Sequence, residues 1–258
     1  MTALFDFTNH YTRRARLSPA LIVALPLGLT VLSWSPDGLK SWMTLWSLFV
    51  WTGGTALVAQ LARDSGREKE KKLFELWGGK PTTQMLRIAG SENKMLAVRR
   101  HAILQKLFPD LHIPSEGEEA ADPASADDIY DLCVRSLLER TRDQKKFNLV
   151  FEENCNYGFR RNLLGMKRLG VAICLVGILS SIFGVVTRIQ TGTLIPAVSY
   201  AAIACILCLL LFWIGRCSPN FVKITAYAYA ERLLASSELL ISDNVPPTKK
   251  IPRKRHVD

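Results

Sequence analysis

Residues 154–162 combine side chains that could bind a nucleotide. The segment reads Asn-Cys-Asn-Tyr-Gly-Phe-Arg-Arg-Asn, and aromatic rings can stack on bases while arginines pair with phosphates. The candidate ligand contacts are Asn154, Tyr157, Arg160 and Arg161. The alternative is a membrane-entry turn, in which Gly158 bends the chain and the two arginines anchor to lipid headgroups. The sequence supports both interpretations.

Lys80 is a further candidate for an anion contact, because it follows Gly78 and Gly79. Backbone amides beside a lysine can bind a phosphate. A turn between two helices explains the same residues equally well, since glycines commonly end a helix and Pro81 can begin the next one. Lys80 is therefore a candidate ligand contact with a purely structural alternative.

Residue patterns typical of enzymes are missing from the sequence. The four histidines have no i,i+4 pairing and no cysteine or carboxylate at metal-ligand spacing. Phosphate-loop and dinucleotide-binding motifs are also missing. Cys205 and Cys208 have the spacing of a redox or metal pair, but they lie in an apolar run, where a thiol most often packs as a small apolar group. We expect no enzyme activity, no metal and no cofactor.

The elements that would position these residues are helices that cross a membrane. Four uncharged, mostly apolar runs occupy residues 17–34, 41–62, 169–187 and 194–214, and about 20 such residues span a bilayer as a helix. Turn residues at 35–38 and 190–192 join the runs in pairs, which predicts two hairpins. A soluble fold is excluded because four such runs would overfill the core of a 258-residue domain.

Hydroxyl side chains in the third run are candidates for the lining of a pore. These residues are Ser180, Ser181 and Thr187. A pore between several chains needs no buried charge and can be lined by small polar residues. The same hydroxyls could instead hold helices together.

The third run also contains three glycines at seven-residue spacing, Gly170, Gly177 and Gly184. They predict one helix face that a neighbouring helix approaches closely. A chance spacing in a glycine-tolerant segment is the alternative.

Charge sets the direction of the helices. The chain carries a formal net charge of +10, and its Lys and Arg residues cluster beside the apolar runs at the ends away from the two hairpin turns. The positive-inside rule therefore places both termini and the central segment in the cytoplasm. Binding of nucleic acid or anionic lipid is the other explanation of the basic excess.

The predicted organisation has six parts. They are a cytoplasmic N-terminus (1–16), a first transmembrane hairpin (17–62), a cytoplasmic helical insert (63–166), a second transmembrane hairpin (167–215), a cytoplasmic amphipathic helix (216–245) and a basic disordered tail (246–258). Within the insert we expect a helix over 91–107 and an exposed acidic loop over 114–126. A helix capped by Asp127 or Asp128 should follow.

Two motifs resemble a family of bacterial membrane proteins of unassigned role. They are Glu-Leu-Trp-Gly-Gly-Lys-Pro-Thr-Thr-Gln-Met-Leu-Arg at 75–87 and Glu-Asn-Cys-Asn-Tyr-Gly-Phe-Arg-Arg-Asn at 153–162. The layout is also similar to membrane effectors of anti-phage systems such as the Hailong effector. That resemblance implies an oligomeric channel in the bacterial inner membrane, held shut by a short DNA oligomer. No ligand residue of that family is matched here, so the implication stops at architecture.

These observations predict an all-α membrane protein with four transmembrane helices in two hairpins and a helical cytoplasmic domain. The expected function is an oligomeric, gated inner-membrane pore or membrane-disrupting effector, in which a nucleotide or short DNA oligomer acts on the cytoplasmic domain. The expected partners are the lipid bilayer and further copies of the chain. The alternative function is a non-conducting scaffold that recruits a cytoplasmic partner protein.

Overall fold

Helices form all regular secondary structure in the described part of the chain. The computed structural model describes residues 10–34, 54–91 and 93–244. The helices are α1 (a π-helical turn Thr12–Leu17 that continues as Ser18–Trp34), α2 (Gly54–Trp77), α3 (Pro81–Leu86), α4 (Lys94–Leu107), α5 (Glu116–Ala121), α6 (Pro123–Arg140), α7 (Asn148–Gly165), α8 (Lys167–Gln190), α9 (Ala197–Leu211, followed by the π-helical turn Phe212–Arg216) and α10 (Pro219–Asn244). The prediction of an all-α fold is confirmed for these residues.

The chain divides into two compact units. The first comprises residues 1–81 and 151–229, and the second comprises residues 82–150 and 230–258. The predicted basic tail, 246–258, lies outside the described residues, as does the N-terminal segment before His10.

Three helices of the first unit are long enough and apolar enough to cross a membrane. They are Thr12–Trp34, Lys167–Gln190 and Ala197–Arg216, with 23, 24 and 20 residues. They match the first, third and fourth predicted spans to within about five residues. The predicted second span, 41–62, falls outside the described residues up to position 53, and its remainder opens helix α2. The turn predicted at 35–38 also lies outside the described residues.

Glycines let the membrane-type helices pack closely, as their spacing predicted. A Cβ built on Gly170 would lie 2.5 Å from the Trp213 ring, and one on Gly177 would lie 2.6 Å from the Thr30 hydroxyl. A Cβ built on Gly184 would lie 3.1 Å from the Trp34 ring. All three glycines of α8 therefore mark one face, which packs on α1 and on the end of α9.

The second unit corrects the predicted acidic loop at 114–126. Ser115 and Glu118 form a reciprocal capping box that begins helix α5. The Asp122 side chain then accepts a hydrogen bond from the Ser125 amide and caps helix α6, which has a proline at its first position. The predicted cap at Asp127 or Asp128 is wrong, because the helix starts a full turn earlier.

The sequence also indicates apolar stripes of Met95, Val98, Ala102 and Leu107 on α4 and of Ile129, Leu132, Leu137 and Leu138 on α6. Of these residues only Leu107 and Leu137 are buried. In α4, Met95 and Val98 are 85% and 52% exposed, and the buried face carries Ala97, Arg100, His101, Leu104 and Leu107. In α6, Leu132 and Leu138 are exposed, and the buried residues are Ala126, Tyr130, Cys133, Val134 and Leu137. The buried faces include Arg100, His101 and Tyr130, so hydrophobicity alone misassigned the helix phase.

Candidate functional site

Helix α7 carries the predicted ligand residues, and it meets α1 and α2 at a very close approach. Asn162 is fully buried, and its Nδ2 donates to the Ala15 carbonyl at 2.7 Å. That carbonyl belongs to the π-helical turn that begins α1. Gly66 of α2 lies so close that a Cβ there would stand 2.2 Å from Asn162 Oδ1. We call the meeting of Ala15, Gly66 and Asn162 the three-helix junction.

A buried charge pair lies beside the three-helix junction. Arg161 Nη1 donates to Glu70 Oε1 at 2.9 Å, and the two side chains are only 12% and 23% exposed. The Tyr157 hydroxyl donates to the same carboxylate oxygen. The Tyr157 ring stacks on Tyr229 with centroids 6.1 Å apart and planes 9° from parallel. We call Glu70, Tyr157 and Arg161 the Glu70 cluster.

The surroundings of the Glu70 cluster shift the pKa values of Arg161 and Tyr157. Burial opposes the charge of Arg161, but the charge of Glu70 and its hydrogen bond outweigh burial and raise the pKa of Arg161. Burial, and after it the charge of Glu70, raises the pKa of the Tyr157 hydroxyl. Both shifts favour a charged Arg161 and a neutral Tyr157 hydroxyl that can donate to the Glu70 side chain.

Arg160 contacts other residues than its neighbour Arg161 does. Its guanidinium lies 4.4 Å from the centroid of the Phe221 ring, and its Nη1 donates to the Phe221 carbonyl at 3.0 Å. Arg216 approaches the same ring at 5.9 Å. Burial, and after it the charge of Arg216, lowers the pKa of Arg160. This side chain joins α7 to the start of α10 through a cation–π contact and a hydrogen bond.

The structure thus separates the predicted nucleotide contacts. Tyr157 and Arg161 share Glu70, Arg160 binds the Phe221 region, and Asn154 is partly exposed on the same helix. The alternative of a bent membrane-entry turn is wrong, because Gly158 lies inside helix α7. A Cβ at Gly158 would lie 2.9 Å from the Tyr11 hydroxyl oxygen. The glycine therefore provides room for α1.

The two glycines before Lys80 close helix α2. The Gly79 amide donates to the Phe74 carbonyl at 2.8 Å and the Gly78 amide to the Glu75 carbonyl at 3.2 Å. Gly78 and Gly79 have positive φ angles of 81° and 132°. Together the two hydrogen bonds form the Schellman arrangement of a helix end. The two glycine amides therefore donate to carbonyls at the carboxyl end of helix α2. That end of a helix carries partial negative charge, so it attracts cations and not phosphates. The geometry therefore favours the helix-to-helix turn over a phosphate cradle at Lys80.

The candidate pore-lining hydroxyls take part in contacts between helices of one chain. Ser181 is 1% exposed and accepts a hydrogen bond from the Ser33 hydroxyl at 2.7 Å. Ser180 accepts from Trp34 Nε1 at 3.0 Å. Thr187 donates to the Gly184 carbonyl of its own helix at 2.9 Å. For Ser180 and Ser181 the geometry favours helix packing.

Sequence reasoning missed Glu70 and Asn162. Glu70 is one of several charged residues in the run Arg-Glu-Lys-Glu-Lys-Lys at 67–72, and nothing in that run separates it from Glu68. Asn162 ended the motif noted in the sequence, but its burial depends on Gly66, which is far away in the chain. A glycine inside an otherwise strongly helix-forming charged segment was the available signal.

A second buried polar group lies in the second unit and was also missed. The Glu119 carboxylate is buried and accepts hydrogen bonds from the Ile88 and Ala89 amides at 3.0 and 2.9 Å. It also accepts from the Tyr130 hydroxyl at 2.7 Å. Burial alone would raise the pKa of Glu119, but these hydrogen bonds outweigh it and lower the pKa. The His101 ring lies 5.2 Å from the Tyr130 ring in a tilted contact, and burial lowers the pKa of His101.

Fold and site together define an all-helical protein with three membrane-type helices and a buried charge cluster beside them. No set of three or more His, Cys, Asp or Glu side chains that could hold a metal ion occurs among the described residues. Comparisons with family models, with curated proteins and with solved structures found no match to this chain.

Proposed function

We propose that this chain is an inner-membrane protein of bacteria that crosses the bilayer four times in two hairpins. Three crossings are supported by the described helices α1, α8 and α9, and the fourth by the apolar composition of residues 41–62. The cationic residues beside these segments support cytoplasmic termini. Protease-cleavable tags at both ends should resist protease added to intact cells. Cleavage from outside would overturn this topology.

In this membrane the chain acts as an oligomeric, gated pore or as a membrane-disrupting effector. One observation carries this proposal: only 28%, 28% and 22% of the residues in the three apolar windows are buried within the chain. Most residues of these windows therefore keep some surface that lipid or further copies of the chain can contact. The glycine and serine contacts fill the space between α1, α8 and α9, so a water path would run between chains.

The cytoplasmic side supplies the control in this proposal, in the context of anti-phage defence. A phosphate of a nucleotide or short DNA oligomer that binds Arg161 has to replace the carboxylate of Glu70, which holds Arg161 at 2.9 Å. Displacement would also free the Tyr157 hydroxyl. Since the Glu70 cluster joins α2 to α7 beside the entry into α1, its rearrangement offers a route from a ligand to the membrane helices.

Reconstitution tests the pore. The full chain in liposomes should release an entrapped dye or potassium, and addition of a DNA oligomer of about four nucleotides should change the rate. Glu70→Gln should bind this oligomer more tightly because the competing carboxylate charge is removed, while the matched variant Glu68→Gln should bind as the wild type does. Liposomes that release neither dye nor potassium under any condition, together with normal growth of cells that overexpress the chain, would refute the proposal.

A non-conducting scaffold is the second candidate. It is favoured by exposed apolar side chains in the second unit, where Met95 and Val98 of α4 are 85% and 52% exposed. Contiguous exposed apolar patches often mark contacts with other proteins, and Met95 and Val98 are neighbours on one face of α4. The scaffold predicts a cytoplasmic partner that co-purifies with the wild type and is lost with Met95→Ser/Val98→Ser, and no ion flux. A variant pair at exposed polar sites of α4 serves as the control.

A further inference from the structure

Arginines project from all three elements of the three-helix junction. Arg16 follows Ala15, Arg67 follows Gly66 and Arg161 precedes Asn162. Arg63 lies one helical turn before Arg67, so the two share a face of α2. The turn Thr12–Leu17 packs against α2, and the charges of Arg63, Arg67 and Arg161 all act on Arg16. The tight packing at the junction thus forces like charges together.

Within the described residues, acidic side chains do not balance this group. Glu70 is occupied by Arg161 and Tyr157. Asp64 lies between Arg63 and Arg67 on α2, but it is exposed and accepts hydrogen bonds from Gln60 at 3.2 Å, and Glu68 is exposed as well. Among the described residues, no ion pair involves Arg16, Arg63 or Arg67, and the Arg16 guanidinium has only the Tyr11 ring beneath it at 5.4 Å. Like charges held this close repel one another, so the group favours an anion that bridges them.

The position of these arginines beside the apolar segments favours a lipid phosphate as the bound anion. Arg16 lies at the start of the apolar segment Thr12–Trp34, and Arg63 comes directly after Ala62, which is fully buried in the apolar core. In the proposed topology, guanidinium groups at these positions lie at the level of lipid phosphates, which they bind with paired hydrogen bonds. Basic sites between membrane helices on the cytoplasmic side bind anionic headgroups in this way.

We propose that Arg16, Arg63 and Arg67 form a binding site for the phosphate of an anionic phospholipid headgroup at the three-helix junction. The bound phosphate bridges α1 and α2 from the outside, as Asn162 bridges Ala15 and Gly66 from the inside. The site is separate from Arg161, whose guanidinium is held by Glu70. The site rests on the proposed membrane topology, but it requires neither conduction nor a nucleotide, so its test is independent of the proposed pore.

Titration of the purified full chain in detergent with dioctanoyl phosphatidylglycerol tests the site, with native mass spectrometry as the readout of bound lipid. Dioctanoyl phosphatidylcholine is the zwitterionic reference. Arg63→Gln and Arg67→Gln should each weaken phosphatidylglycerol binding about fivefold, and the double variant about 25-fold. Arg63→Lys should retain most of the affinity because it keeps the charge.

Arg168→Gln is the matched control, since it removes the same charge at the exposed base of α8. It should change the affinity less than twofold, within the spread of measurement for an exposed charge. Equal losses for Arg168→Gln and the Arg63/Arg67 variants would overturn the proposal. So would binding of inorganic phosphate that displaces phosphatidylglycerol at equal concentration, because the site would then recognise free phosphate and not a lipid.

Discussion

Replacement of Glu70 by glutamine should destabilise the protein far more than a substitution in a charged run such as residues 67–72 usually does. Glutamine keeps the size of the side chain and an acceptor for the Tyr157 hydroxyl, but it removes the charge that balances Arg161. The Arg161 side chain is 12% exposed, and the like charge of Arg16 already repels it. Breaking a buried ion pair on one side costs about 3–5 kcal/mol. Because Glu70 is 23% exposed, we expect the lower end, about 3 kcal/mol.

Thermal unfolding in detergent, followed by tryptophan fluorescence, measures this effect. For a chain of this size, 1 kcal/mol shifts the midpoint by about 2–4 °C, so Glu70→Gln should melt about 6–12 °C below the wild type. Glu68→Gln is the matched control, because Glu68 is exposed two residues earlier on the same helix. Its midpoint should stay within about 1 °C of the wild type, as is usual for exposed charges.

The double variant Glu70→Gln/Arg161→Gln separates the ion pair from other losses. Since it removes both charges, it should be less destabilised than the sum of the two single variants by about 1–3 kcal/mol. Additive losses would refute the reasoning, because they would show that Glu70 and Arg161 do not depend on each other. A midpoint for Glu70→Gln equal to that of Glu68→Gln would refute it as well.

Three further predictions concern other parts of the chain. Gly170→Ala should destabilise by about 1–3 kcal/mol in the same unfolding assay, because its Cβ would lie 2.5 Å from a buried tryptophan, whereas Gly117→Ala, with nothing within 4 Å, should be neutral or slightly stabilising. The lowered pKa of Glu119 means that its contribution to stability is present above its ordinary value of 4.5 and is lost as the pH falls below it, so Glu119→Gln should flatten the decline of the unfolding midpoint between about pH 5 and pH 3. Ser181→Cys, made in a cysteine-free chain, should react slowly with a water-soluble thiol reagent, while Thr193→Cys in the exposed turn should react quickly. Rapid labelling of Ser181→Cys would instead favour a pore-lining position.

The sequence by itself determined the helical class and the positions of the membrane-type segments. A run of about 20 residues without charge cannot stay in water unless it is buried, so residues 17–34, 169–187 and 194–214 could be located without tertiary information. The glycine face of α8 was also readable, because a helix repeats nearly every seven residues and Gly170, Gly177 and Gly184 follow that repeat. The helix end at Gly78 and Gly79 was predictable because positive φ favours glycine.

Only the tertiary structure decided the partners of the polar residues. Tyr157 and Arg161 look like ligand contacts in the sequence, but α2 brings Glu70 to them from about 90 positions away. Likewise, Ser181 could line a pore until α1 presents Ser33 to it. Hydrophobic periodicity reports the transfer of side chains out of water, which is a property of each residue. A hydrogen bond or ion pair depends on which partner arrives, and that is fixed only when distant helices pack.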